Sequence, residues 1–162
     1  MNRTINTTKF GAKIVIVIIV ILVGLQIYYK IEQNTFSNQL FNMELPEGIE
    51  LLEKQQVKGK LNGNGNSMDF LACILVKTDK TQDELERILN NKIFSPVRED
   101  KEEEYNNVYR EVVKVDGTEL KTKCLEHKSI FFEELDGVTE FDGYYALLIY
   151  DGGYTTYLSF FD

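Results

Sequence analysis

The longest apolar stretch of the chain runs from Ile14 to Tyr29 and has the sequence IVIVIIVILVGLQIYY. It contains no charged residue, and Gln26 is its only strongly polar side chain. As a helix the stretch would rise about 24 Å, and flanking Lys13 and Lys30 can extend it towards the roughly 30 Å of a bilayer core by reaching to the headgroups. A single segment in lipid must satisfy its own backbone hydrogen bonds, which only a helix does. The pattern predicts a transmembrane anchor over residues 14–30, in contact with membrane lipid.

Two other interpretations of this stretch stay open, a cleaved signal peptide and a buried segment of a soluble protein. A signal cleavage site needs small side chains at its −3 and −1 positions. Gly24 suits the −1 position, but Leu22 does not suit −3. A buried segment would rarely combine such apolar purity with basic residues on one side only. The sequence therefore favours an uncleaved anchor.

The charges before the anchor predict its orientation. Arg3, Lys9 and Lys13 precede it together with the amino terminus, and no acidic residue does. Positive flanks stay in the cytoplasm. We therefore expect residues 1–13 to be cytoplasmic and the carboxyl-terminal part to lie outside a cell membrane that the chain crosses once.

About 130 residues follow the anchor, enough for one domain with its own core. Residues 31–45 are polar with spaced apolar positions and are predicted to form a stalk or linker. A turn at Leu45-Pro46-Glu47-Gly48 ends this segment. The prediction places an extracytoplasmic domain over residues 46–162.

Alternating apolar and polar positions predict about six mostly antiparallel strands in this domain. Met68 to Val76 is apolar on both faces and is expected to be a central strand. The turns between strands are marked by Asn62–Asn66, Asp116-Gly117 and Asp151-Gly152-Gly153. The predicted strands are Gln55–Leu61 within Ile49–Leu61, Met68–Val76, Tyr105–Val115, Thr118–Glu126, Tyr144–Tyr150 and Tyr154–Phe161.

One main helix is predicted between the second and third strands. Thr81-Gln82-Asp83-Glu84 fits a capping box, and apolar residues follow at helical spacing as far as Ile93. Pro96 should end the helix at or before Ser95. The fold class is therefore α+β, with an N-terminal transmembrane helix, a mostly antiparallel sheet and one main helix.

The charge of the chain restricts its partners. The formal net charge is −8, although the segment up to Lys30 is basic, so the outer domain is more acidic than the total. Such a domain repels nucleic acid. The chain has no tryptophan and only one histidine, which disfavours several common catalytic arrangements. We expect no nucleic-acid partner, no cofactor and no metal.

Two cysteines, Cys73 and Cys124, lie in the predicted outer domain. An exported domain with an even number of cysteines is suited to a disulfide. A bridge between these two would close a loop of about 50 residues and contribute roughly 4 kcal/mol in the chain-entropy model. The alternative is two buried free thiols that pack as small apolar side chains.

Three other features are candidate sites of chemistry. The loop Asn62-Gly63-Asn64-Gly65-Asn66 can cradle phosphate only before a helix, whereas a strand follows it, so a hairpin loop is favoured. The run Arg98 to Glu104 lacks the ligand spacing of a calcium loop and is expected to be a solvated loop. His127 lies in a polar stretch, and neither a Cys124–His127 pair nor a zinc site is favoured.

The aromatic residues near the end of the chain are the remaining candidate site. Alternation directs some of them outward, so Tyr144, Tyr154 and Tyr157 are candidate binding residues for a sugar, peptide or partner strand. Cross-strand aromatic pairs that stabilise a hairpin are the alternative.

Two segments, LNGNGNSMDFLACILVKTDKTQDEL and YYALLIYDGGYTTYLSFFD, resemble small membrane-anchored proteins of low-GC Gram-positive bacteria that have no assigned activity. The resemblance covers about a third of the chain and implies a bacterial envelope setting. From the residues we expect a non-enzymatic module that binds an envelope protein or peptide. An accessory subunit of a membrane complex and a carboxylate-dependent hydrolase are the alternatives.

Overall fold

A computed structural model describes residues 4–63, 67–97 and 108–155 of the chain. Its fold class is α+β, as predicted. The contacts divide the chain into one unit up to Glu32 and a second from Gln33 onward. The elements are α1 (Thr4–Phe41), β1 (Ile49–Gly59), β2 (Ser67–Thr78), α2 (Gln82–Asn90), β3 (Tyr109–Lys114), a short 3-10 turn (Glu133–Leu135) and β4 (Tyr144–Thr155).

The first unit is the apolar part of α1. Every isoleucine and valine between Ile14 and Ile27 is 46–64% exposed, on all sides of the helix. Within the described residues, α1 is the one helix long and apolar enough to cross a membrane. Near the end of this unit, the Tyr28 hydroxyl donates to the carboxylate of Glu32. A helix of this kind serves as a membrane anchor or as a signal sequence, whereas the core helix of a soluble protein would be covered by its own chain.

The second unit is built on an antiparallel sheet with the strand order β1-β2-β4-β3. β2 and β4 are central, which agrees with the apolar character of both faces of Met68–Val76. Cys73 pairs with Gln55 of β1 on one side and with Leu148 of β4 on the other. β1 and β3 form the two edges.

Helices cover one face of this sheet. The rings of Phe36 in α1 and Phe70 in β2 lie 6.4 Å apart. Leu40 of α1 and Leu85 and Leu89 of α2 are also buried. Residues 33–41, which the sequence assigned to a stalk, therefore contribute core side chains to the second unit.

An irregular segment covers the other face. It begins after β3 and runs through the 3-10 turn to β4. Its buried side chains pack on alternate residues of β2 and β4 in one cluster. The main members of this cluster are Leu71, Cys73, Leu75, Leu120, Cys124, Phe132, Leu135, Ala146 and Leu148.

The prediction of about six strands was wrong: the described residues form four. Thr118–Glu126 is not a strand, and Asp116-Gly117 does not turn a hairpin. The backbone of this segment bonds locally instead, since Leu120 donates to Ile130 and Phe132 donates to Thr118, and only the isolated bridge Glu119–Phe131 remains. The segment therefore folds over the sheet face.

The turn predicted at Asp151-Gly152-Gly153 was also wrong. β4 continues through it, with Asp151 paired to Phe70 and Tyr154 paired to Met68. The register shifts between Met68 and Phe70, which is a bulge that absorbs the glycine pair without reversing the chain. The last residues of the predicted strand Tyr154–Phe161 lie outside the described residues.

The helix prediction is confirmed at its start and was too long at its end. Thr81 caps α2, with its side chain and that of Glu84 bonded reciprocally to each other's backbone. The helix ends at Asn90, and Ile93 is 94% exposed beyond it. The helix therefore ends before Ile93, although the apolar spacing continues to that residue.

Candidate functional site

An open groove of about 450 Å³ lies at the end of the sheet where β1 begins, β2 ends and β4 begins. The turns before β1 and β4 bring backbone groups to this end. The groove is lined by Gly48, Ile49, Glu50, Lys77, Thr78, Asp79, Asp142 and Gly143.

Thr78 fixes the floor of the groove and is itself buried. Its backbone N–H donates to the carbonyl of Gly143 at 2.9 Å. Its hydroxyl donates to the carbonyl of Gly48 at 2.6 Å and accepts the N–H of Lys80 at 3.2 Å. One threonine thus joins the turns that precede β1 and β4, so the backbone of the groove is held rigidly.

Gly143 is required by this arrangement. Its φ is +78°, and a Cβ atom there would lie 2.7 Å from the carbonyl oxygen of Thr78. Gly48 also has a positive φ, of +83°, but a Cβ atom there would meet nothing within 4 Å. Of these two glycines, only Gly143 lies where another backbone segment is too close to leave room for a side chain.

The side chains of the groove carry more negative than positive charge. The lining residues include the carboxylates of Glu50, Asp79 and Asp142 and one cation, Lys77. The ammonium of Lys77 lies 4.9 Å from the ring centroid of Tyr144. Asp142 also pairs with Lys114 at 3.3 Å, although both side chains are well exposed, so that pair contributes little.

Tyr144, one of the three tyrosines predicted to bind, borders this groove. It is half-buried, and its ring lies 6.5 Å from that of Phe141 in an edge-on arrangement. Tyr154 pairs with Met68 near the other end of β4. Ten residues of strand separate the two tyrosines by about 33 Å, so they cannot share one small site. Tyr157 lies outside the described residues.

Cys73 and Cys124 are free thiols in this structure, and the predicted bridge is not formed here. Both are buried in the cluster on the sheet face covered by the irregular segment. Burial raises the pKa of Cys73, and it raises the pKa of Cys124 to about 11. Neither thiol is activated as a nucleophile in this state.

The glycine-rich loop does not present free backbone donors in its described part. The N–H groups of Leu61 and Asn62 donate to the buried carboxylate of Asp69 at 2.9 and 3.2 Å. The N–H of Gly63 donates to Glu126 at 3.0 Å. Because carboxylates of the chain occupy these donors, they are not available to a phosphate. The loop joins β1 and β2 as a hairpin, as predicted.

The ring of His127 also holds this loop, through a 2.9 Å hydrogen bond between Nε2 and the carbonyl of Gly63. The backbone N–H groups of Glu126 and His127 both donate to the carbonyl of Leu61. His127 therefore has a structural partner. Within residues 4–63, 67–97 and 108–155, no group of three acidic, histidine or cysteine side chains is placed to hold a metal ion.

The sequence pattern identified Tyr144 but missed Lys77, Thr78 and Gly143. The only local signal was the glycine directly before the aromatic strand, which marks a turn. Thr78 bonds to Gly48 and Gly143, which lie 30 and 65 positions away in the sequence. The spacing of residues along the chain does not predict pairs this far apart.

The groove is thus an acidic site whose backbone is fixed by the hydrogen bonds of Thr78, with the ring of Tyr144 beside its one lysine, and it is suited to bind a ligand that presents amide or cationic groups. No protein-family model matches the chain, and neither the curated proteins nor the solved structures include a significant match.

Proposed function

We propose that this protein is a single-pass membrane protein whose carboxyl-terminal domain lies outside the cell and binds a protein or peptide of the envelope without catalysing a reaction. Residues 14–30 would form the anchor, and residues 1–13 would remain in the cytoplasm.

The observation that carries the proposal is the exposure of the apolar part of α1. Ten isoleucine and valine side chains between Ile14 and Ile27 are about half exposed, around the whole circumference of the helix. At about −0.3 to −0.6 kcal/mol for each large aliphatic residue, lipid would stabilise this segment by several kcal/mol. Water would not stabilise this segment, because an exposed apolar surface of this size drives association between chains.

Binding is supported by the character of the groove. Its lining offers three carboxylates, one ammonium and backbone groups fixed by Thr78. A peptide with a lysine or arginine side chain would meet Glu50, Asp79 or Asp142, and Tyr144 would supply an apolar contact. Fixed polar groups beside an aromatic surface are typical of peptide recognition.

Membrane anchoring is tested with the full chain carrying a tag after Asp162. We expect the chain in the membrane fraction after a high-salt wash, and we expect protease added to sealed cells to remove the tag. An intact chain in the cytosol, or a tag that protease leaves untouched, would contradict the proposal. Release into the medium of a chain lacking residues 1–24 would show a cleaved signal instead.

Binding at the groove is tested by placing a photoreactive amino acid at position 50 of the full chain in intact cells. The same residue at position 92, which is exposed beyond α2, is the control. We expect a discrete cross-linked species from position 50 alone, and we expect Tyr144→Ala to weaken it. Equal labelling from both positions would contradict a binding role for the groove.

A further inference from the structure

A second cavity, of about 310 Å³, lies between α2 and the edge strand β3. Its lining is polar apart from Leu89 and Val112. The amide side chains of Gln82 and Asn90 line the α2 side, and Arg110 lines the β3 side. A cavity of this size accommodates an acidic side chain or the end of a peptide.

Arg110 is held on the sheet face that carries the helices. It pairs with Ile149 of β4, and its guanidinium carbon lies 5.4 Å from the ring centroid of the buried Phe94. Stacking on an aromatic ring fixes the plane of the guanidinium and therefore the directions of its N–H groups.

The guanidinium of Arg110 has an unsatisfied hydrogen-bond donor. Its Nε atom is buried and has no hydrogen-bond partner, and no ion pair involving Arg110 is found in the described ranges. A buried donor without an acceptor destabilises the folded chain, and the effect is larger when the group is charged. Because Nε has no exposed surface, an acceptor that entered the cavity would bind the other N–H groups of the Arg110 guanidinium, which lines the cavity.

The two glutamates that line the cavity bond to side chains other than Arg110, namely Gln82, which also lines the cavity, and Thr122, which does not. Glu86 accepts a hydrogen bond from Gln82 at 3.1 Å, and Glu111 accepts one from the hydroxyl of Thr122 at 2.5 Å. Neither forms an ion pair with the guanidinium of Arg110.

The geometry points to a carboxylate-binding site at Arg110, in which the guanidinium donates its N–H groups to both oxygens of the ligand. A planar fork of donors matches a carboxylate in two parallel hydrogen bonds. The ligand is either a small free carboxylic acid or the carboxyl terminus of a peptide, which present the same group. This site is separate from the groove beside Tyr144, so it stands or falls independently of the proposed function.

The test measures ligand binding to the full chain in detergent micelles by saturation-transfer nuclear magnetic resonance. Acetate is compared with the neutral isostere acetamide, and N-acetylalanine is compared with N-acetylalaninamide. We expect at least one of the two acids to bind and both amides to fail. Binding of acetate alone would assign a small free acid, and binding of N-acetylalanine alone would assign a peptide terminus.

Arg110→Gln should weaken binding of the acid at least about tenfold, because hydrogen bonds to a charged group are lost. Arg110→Lys keeps the charge without the planar fork and should give a smaller loss. Arg87→Gln is the matched control, since Arg87 is an exposed arginine on α2 that does not line the cavity. Thermal unfolding of each variant shows that it is folded.

Three results would overturn the proposal. The first is that acids and amides bind equally well. The second is that the folded Arg110→Gln and Arg110→Lys variants bind the acid as tightly as the native chain does. The third is that neither acid binds the native chain. If acids bind only after Glu102, Glu103 and Glu104 are changed to Gln, Arg110 serves a carboxylate of its own chain and the external ligand is excluded.

Discussion

At Gly143 the backbone leaves no room for another side chain. A substituted residue would have to adopt a φ of +78° and place its Cβ atom 2.7 Å from the carbonyl oxygen of Thr78. The first effect costs about 1–2 kcal/mol, and the second adds about 1–3 kcal/mol as the groove floor is pushed apart. Gly143→Ala should therefore lower the free energy of unfolding by about 2–5 kcal/mol.

Gly48→Ala is the matched control for this prediction. Its φ of +83° imposes the same backbone strain, but no atom lies within 4 Å of the added Cβ. Chemical denaturation of both variants should show the larger loss at Gly143. Equal losses would mean that the close approach to Thr78 does not constrain the groove.

The burial of Cys73 and Cys124 predicts how their thiols react. In this structure Cys73 and Cys124 are buried free thiols whose pKa values are raised by burial. A thiol reagent should therefore react with neither cysteine of the folded full chain, and with two thiols per chain after unfolding in non-reducing denaturant. Absence of reactive thiols after unfolding would establish instead the disulfide that an exported domain is suited to form.

Among the elements, α2 shows what local sequence can determine. Thr81 and Glu84 bond to each other's backbone, which spacing alone predicted. β2 and the first part of β4, Tyr144–Tyr150, were equally predictable, since apolar residues on both faces require burial on both sides. Each of these predictions depended on interactions within a few residues or on one hydrophobic pattern.

Other elements depended on distant partners and were mispredicted. Asp151-Gly152-Gly153 has the composition of a turn, yet β4 passes straight through it because a bulge at Met68–Phe70 keeps the two strands paired. The alternating segment Thr118–Glu126 joins neither edge of the four-stranded sheet, and its backbone bonds instead to Ile130, Phe132 and Leu61. The groove was missed for the same reason, because Thr78 joins turns that are far apart in sequence.

The capping box of α2 gives a prediction for pH dependence. Glu84 accepts hydrogen bonds from the backbone N–H of Thr81 at 2.8 Å and from its hydroxyl at 2.9 Å, which lower the pKa of Glu84 below 4.5. The folded state therefore favours the carboxylate. The resulting stabilisation is present above pH 4.5 and is lost as the pH falls through the lower pKa of the folded state.

Glu84→Gln should flatten this part of the stability profile. Thermal unfolding between about pH 5 and about pH 3 should show a smaller decrease in melting temperature for Glu84→Gln than for the native chain. Glu86→Gln removes the same charge from the same helix and should leave the decrease closer to that of the native chain. An unchanged decrease in Glu84→Gln would mean that the capping carboxylate is not a source of the acid sensitivity.

The stability of the carboxyl-terminal unit depends on the residue at which its folded part begins. Its contacts begin at Gln33, and Phe36 and Leu40 are each 1% exposed. A fragment that starts at Pro46 loses both side chains and uncovers Phe70. Each large buried side chain contributes about 2–5 kcal/mol, and a whole domain is stable by only about 5–15 kcal/mol.

A fragment of residues 33–162 should therefore be soluble and unfold cooperatively, whereas one of residues 46–162 should not. Circular dichroism on heating and soluble yield measure the difference. Within the longer fragment, the double change Phe36→Ala and Leu40→Ala should reproduce most of the loss, and Asn38→Ala, on the exposed side of the same helix, should not. Identical melting of the two fragments would make residues 33–41 a dispensable stalk. The expected result would make the end of α1 part of the core of the unit that the apolar segment is proposed to anchor.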